Sequence, residues 1–180
     1  MAHTESGVPD LSVIFSKLRH LTSVLPVGSA TSDMYTFSQT RRAIEAKLLS
    51  ARLNPGSSIS DYVFGTSCIA GLIYTHFVLR QYHPRRPVLM ILLRNLMTGL
   101  WKLEEHLSGL GVTYPSDSIH TLLWALCIGS CVALDAEQLQ WFLERVRHVM
   151  GFLKITQRWE LQQILERYVW MEKLSLDRLL

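Results

Sequence analysis

An all-α fold, a single-domain bundle of about seven helices, is the class this sequence predicts, and three observations predict it. The chain has 180 residues, which is one domain's length and enough to bury a core without disulfide or metal staples. Leucine supplies 30 of those residues, a strong helix former. Apolar side chains recur at spacings of three and four, while strictly alternating β-branched runs are missing. Hydrophobic residues make up 48% and charged residues 18%, below the roughly 25% charge of an ordinary soluble domain, so a disordered chain is excluded.

The first helix follows Pro9 and the capping Asp10 and carries Leu11, Ile14, Phe15, Leu18 and Leu25 on one stripe. Val27 to Thr31 reads as a loop because it holds Gly28 and Ser29. The second helix runs from about Asp33 to Leu53, with Phe37, Ile44, Leu48 and Ala51 inward, and stops at Asn54-Pro55-Gly56. Proline removes a backbone donor and disfavours helical geometry in the residue before it. A third helix, about Ile59 to Gln81, is apolar nearly all round, which suits a central position or lipid. The segment Tyr82-His83-Pro84-Arg85-Arg86-Pro87 is a hinge, and a fourth helix, about Val88 to Leu107, presents Leu89, Leu92, Leu93, Leu96, Leu100 and Leu103.

Gly109 to Pro115 reads as a turn, and Ser116 as the cap of a fifth helix reaching about Val132. Asp135 with Gln138 three residues on matches the reciprocal capping pattern, opening a sixth helix with Leu139, Phe142, Leu143, Val146, Val149, Met150 and Leu153 along one stripe. Thr156 is the expected cap of the seventh, which turns Leu161, Ile164, Leu165 and Tyr168 inward and Arg158, Gln162 and Arg167 outward. No repeat or low-complexity segment interrupts the series.

Two stretches, Tyr62 to Leu79 and Ile119 to Leu134, hold no formal charge, and the first is about 18 residues, near the lower limit for a membrane span. Their Thr, Ser, Cys, Gly and His residues and the one-sided amphipathicity of the second and sixth helices favour burial in a globule. The opening residues lack the basic start and apolar run of a secretory signal.

Chemistry-bearing constellations are few. The net charge of +3 is too small for a general nucleic-acid attractant. Cys68, Cys127 and Cys131 form neither a disulfide framework nor a zinc-finger spacing, and a reducing compartment suits them. His120, Cys127 and Cys131 fall within about 20° of one helical line, yet seven residues rise about 10 Å, too far for one ion to reach all three. A buried stripe is the preferred reading, with no metal, cofactor or catalytic residue assigned. The sequence has no GxSxG elbow, GxGxxG, Walker loop or HExxH. Glu104 and Glu105 diverge by about 100° on a helix and read as a solvated end near His106. Arg80, Arg85 and Arg86 with His83 are too few charges to hold DNA and read as a solvated hinge. Trp101, Trp124, Trp141, Trp159 and Trp170 read as core and interface anchors.

Four stretches in order resemble a known family: CIAGLIYTHFVLR (Cys68 to Arg80), LLWALCIGSCVAL (Leu122 to Leu134), WFLERV (Trp141 to Val146) and, most specific, WELQQILERYVW (Trp159 to Trp170). Over about residues 33 to 172 the chain is similar to the C-terminal regulatory domain of fungal-specific transcription factors, proteins that carry an N-terminal binuclear zinc cluster. The resemblance implies an all-helical, non-enzymatic regulatory domain in the nucleus, controlling a metabolic or secondary-metabolite gene set. No six-cysteine cluster is present, so no DNA-reading residues carry over and no direct nucleic-acid binding is expected.

The expected organisation is 1–32 as an N-terminal segment with one short helix, 33–174 as the regulatory domain and 175–180 as a tail. The expected function is partner binding that modulates gene expression, with a full-length zinc-cluster transcription factor as one candidate partner, and the nucleus, or failing that the cytoplasm, as its location. Two alternatives stand beside it. One is a small helical membrane-associated protein. The other is a helical carrier or enzyme with a pocket among helices three to five, where Cys68, His76, His120 and Cys127 meet.

Overall fold

Helix α3 (Ile59–Tyr74) begins where Ser58 and Asp61 satisfy each other's backbone: the Ser58 Oγ accepts from the Asp61 N–H at 3.1 Å and the Asp61 carboxylate accepts from the Ser58 N–H at 3.0 Å. In this computed structural model, which describes residues 11–24, 31–52, 58–110 and 118–170, α3 is preceded by α1 (Leu11–Ser23) and α2 (Thr31–Arg52). It runs on into a π-helical turn (Thr75–Leu79) and is followed by α4 (Pro87–Leu110), α5 (Ile119–Val132), α6 (Ala136–Phe152) and α7 (Arg158–Tyr168). The described residues form seven α-helices in one all-α domain and hold no strand, the architecture that the leucine-rich periodicity predicts.

Helices α3 and α5 are the two interior elements. Helix α3 packs against α2, α4 and α5, while α5 is covered by α6 and α7 on its other sides. Residues Thr66 through Tyr74 are buried, and so is nearly all of α5. The helical stretch Ile59–Leu79 is long and apolar enough to cross a membrane, but 72% of its apolar window is buried among its neighbours, so the interior accounts for its composition. Close approach depends on glycine at two crossings. A Cβ on Gly71 would meet the Leu48 side chain at 3.2 Å, and one on Gly129 would overlap the Phe142 ring. These contacts seat α2 on α3 and α6 on α5.

The first and last described helices meet in an aromatic clasp. Phe15 of α1 lies edge-on to Trp124 (4.9 Å) and to Tyr168 (5.3 Å), and Trp124 stacks near Tyr168 at 6.2 Å. The indole N–H of fully buried Trp124 donates to the Val169 carbonyl at 2.8 Å, and Thr121 donates to the Tyr168 hydroxyl at 3.1 Å. On the outer side, Arg19 donates to the Arg167 carbonyl at 2.8 Å. Helix α1 is thereby part of the same core as α5 and α7.

Several element ends differ from expectation. The third helix, expected to reach Gln81, leaves α geometry at Tyr74. The Arg80 N–H bonds to the Thr75 carbonyl five residues back, and Gln81 takes a left-handed φ of 52°. The fourth helix starts at Pro87, where a missing donor is harmless at the first helical position, and continues through Gly109 to Leu110. The seventh is capped at Gln157 rather than Thr156. The Glu160 carboxylate, inside the first turn, reaches back to take the N–H groups of Thr156 (2.8 Å) and Gln157 (2.9 Å), the N3 half of a capping box. Asp135 caps α6 as expected, accepting from the Gln138 N–H at 2.7 Å. The expected roles of Asp10, Leu25, Ser116 and the Asn54-Pro55-Gly56 stop lie outside the described residues.

Candidate functional site

The polar centre of the molecule sits where α2 crosses the π-helical turn. Ile44 and Leu48 bury one face of α2, and the narrow crossing at Gly71 holds Glu45 over the turn. A π-turn contains one residue more than an α-turn, which rotates the following residue by about 100° from where an unbroken helix would place it. Arg80, the first residue after that turn, receives Glu45 in a two-pronged grip: Nε donates to Oε1 at 2.9 Å and Nη2 to Oε2 at 2.5 Å. The third nitrogen, Nη1, donates to the Tyr82 hydroxyl at 3.3 Å.

Around this pair the other groups are cationic or aromatic. Arg41, one turn before Glu45, holds its Nε 3.7 Å from Oε1. His76 stacks on Tyr82 with ring centres 5.7 Å apart and planes at 18°, and the Arg86 guanidinium lies 5.4 Å from the centre of the Tyr82 ring. Two buried atoms, Arg41 Nε and His76 Nδ1, have no hydrogen-bond partner among the described residues. The charges follow this crowding. Glu45 holds Arg80 protonated above the usual guanidinium range. Burial and then Arg80 push Arg41 down. Burial pushes the His76 imidazole down as well, with Glu45 opposing and Arg80 and Arg41 adding to the effect. One carboxylate therefore neutralises only part of a cluster of cations.

Arg80, expected in a solvated hinge, is instead the partner of a buried carboxylate, whereas Arg85 and Arg86 are exposed. Glu104 was also expected at a solvated end. It pairs with Arg145 of α6, whose Nη2 donates to Oε2 at 2.8 Å and whose guanidinium lies 3.6 Å from the Trp141 ring centre. Glu105 is exposed, and His106 packs 5.1 Å from the Tyr62 ring. Of the tryptophans, Trp124 is fully buried and Trp141 and Trp170 partly so, but Trp101 and Trp159 are each 58% exposed and do not anchor the core.

The structure does not gather the suspected ligands. Among the described residues no three His, Cys, Asp or Glu side chains converge on a point that would hold a metal ion, so neither His120, Cys127 and Cys131 nor Cys68, His76, His120 and Cys127 make such a site. Burial pushes the Cys68 thiol up to about 12 and the Cys127 thiol well above its ordinary value, which keeps both protonated and unreactive. Glu45, Arg41 and Tyr82 are the site residues that sequence reasoning missed. The only sequence signal for them was the i,i+4 pairing of Arg41 with Glu45 on the buried side of α2.

An all-helical domain, with α1 and α7 joined by aromatic packing on α5 and with polar chemistry in an arginine corner, is the class the fold and site define. The chain belongs to the fungal-specific transcription factor domain family, whose model matches residues 20–176. The match begins within α1 and extends past α7. No curated protein and no solved structure matches the chain significantly.

Proposed function

We propose that this chain regulates transcription in the nucleus by binding protein partners, without reading DNA through its own helices and without catalysing a reaction. The observation that carries this reading is family membership over residues 20–176, from α1 to beyond α7. One partner class is a zinc-cluster transcription factor, and the controlled genes are a metabolic or secondary-metabolite set.

The test joins the full chain to a heterologous DNA-binding domain upstream of a reporter gene and follows a fluorescently tagged chain in a fungal cell. Nuclear accumulation with reporter output different from that of the DNA-binding domain alone supports the reading. A tagged chain excluded from the nucleus, or a reporter that does not respond, overturns it.

A further inference from the structure

The charge of this chain is segregated. From Met34 to Leu103 the sequence holds nine Lys or Arg against two Asp or Glu, and from Tyr62 to Leu103 it holds no acid at all, while the rest of the chain carries more acids than bases. The fold gathers much of this excess at one corner, because α2 lies against the π-turn. Arg41 and Arg42 come from one side, Arg80 from the turn, and Arg85 and Arg86 from the loop after it. Of these five guanidinium groups, Arg80 and Arg41 lie against the carboxylate of Glu45. Burial first, then Arg80 and more weakly Arg42, push the Arg41 guanidinium below its ordinary range, with Glu45 opposing.

The cations at this corner are not equivalent. Arg80 is closed on Glu45 and Arg41 leans on the same carboxylate, which leaves Arg42, Arg85 and Arg86 as the outward charges. Three outward charges are a weak hold on nucleic acid, where binding grows with the number of phosphates neutralised. Apolar side chains extend the corner along α2. Tyr35 and Leu49 lie seven residues either side of Arg42 and so share its helical line, and they are 67% and 48% exposed. A face that alternates cations with exposed apolar groups complements a chain that alternates carboxylates with apolar side chains.

We propose that the arginine corner, with Arg42, Arg85 and Arg86 as its outward charges and Tyr35 and Leu49 beside them, is the docking surface for an acidic protein segment interspersed with apolar residues. This rests on the reading of the chain as a partner-binding regulator and names the chemistry of the partner. The Glu45–Arg80 pair acts here as a positioning element, holding the loop of Arg85 and Arg86 beside α2 through Tyr82.

The test is fluorescence anisotropy of the full chain, at low salt, with a labelled peptide of Asp and Glu interleaved with Leu and Phe. The expected result is saturable binding that weakens with added salt, falls on the order of tenfold in the R42E/R86E variant, and is retained in R42K/R86K. Leu49→Ser weakens binding of this peptide but not of one whose apolar residues are replaced by Ser. Circular dichroism checks that each variant is folded, and Arg42→Glu alone, on an exposed helix face, serves if the double variant is not. Absence of peptide binding overturns the proposal. So does tighter binding of a DNA duplex or of phosphatidylserine vesicles than of the peptide, and so does low-salt self-association abolished by R42E/R86E. Failed peptide binding with an intact reporter response removes only the docking surface, whereas a silent reporter removes the parent reading whatever the peptide does.

Discussion

Two regions of the molecule that adjoin α3 are held by opposite kinds of chemistry. On one side α3 abuts α5, which carries the Trp124 clasp, where three aromatic rings and one indole hydrogen bond fasten α1 and the segment after α7 to the interior. At its far end the helix loosens into a π-turn, and a single carboxylate ties α2 to a loop full of arginine. The Trp124 indole and the Tyr168 hydroxyl of the clasp are hydrogen-bonded, whereas the corner keeps two buried nitrogens without a hydrogen-bond partner among the described residues and a left-handed Gln81. Interior apolar packing is unspecific in direction and strong in sum, while charge pairs are directional and easily unbalanced. The molecule's stability is thus expected to reside at the clasp, and its sensitivity to conditions at the corner.

The largest effect should come from the clasp. Trp124→Ala removes a fully buried indole and leaves the Val169 carbonyl without its donor, so a loss of about 3–5 kcal/mol in unfolding free energy is expected. Denaturant unfolding measures it, and a loss under about 1 kcal/mol would show that α1 and α7 are fastened elsewhere. Trp124→Phe keeps much of the packing and should cost visibly less.

Next comes the corner's own tie. Glu45→Gln leaves Arg80 facing an amide and Arg41 without a counter-charge. Both side chains retain some solvent, at 11% and 25% exposure, so the cost is set below that of a fully buried pair, at about 1–3 kcal/mol. A double-mutant cycle with Arg80→Met separates the pair's coupling from the single losses. Additive losses would mean that the two residues stabilise the corner independently.

A smaller and pH-dependent effect belongs to His76. Its folded-state pKa lies below the ordinary 6.5, first because of burial and then because Arg80 and Arg41 face it across Glu45. Tyr82 covers its ring. Below pH 6.5 the unfolded chain therefore binds a proton that the folded chain refuses, and stability falls as pH is lowered from that value towards the folded pKa. Above it the contribution is fully present. His76→Phe should flatten the thermal-midpoint profile in that window. An unchanged slope would assign the acid sensitivity to other groups.

What sequence reasoning could and could not reach follows the same division. Helix α6 was legible throughout, because Asp135 announces its start and its apolar residues fall on one stripe. The interior position of α3 was legible from its lack of a polar face. The corner was not, because reading past Tyr74 assumes a constant 3.6-residue period, and one extra residue in the turn redirects Arg80 to a carboxylate 35 positions away. Glu104 escaped for the same reason of distance, since its partner Arg145 lies 41 residues on. Thr156 looked like a cap because hydroxyls commonly are, but the helix starts one residue later, with Gln157 at the cap and the Glu160 carboxylate reaching back to the N–H groups of Thr156 and Gln157.

The smallest effect sharpens the contrast between tryptophans. Trp159 belongs to the most specific of the motif stretches, yet it is 58% exposed at the start of α7, whereas Trp124 in the middle of α5 is sealed. If stability follows burial and not residue type, Trp159→Ser should change unfolding free energy by no more than about 0.5 kcal/mol, against several for Trp124→Ala. A stability loss comparable to that of Trp124→Ala would mean that Trp159 packs more deeply than its exposure indicates. A neutral stability effect combined with a lost reporter response would instead place the importance of this side chain in an encounter with another molecule, since an exposed indole offers a large apolar surface at small ordering cost.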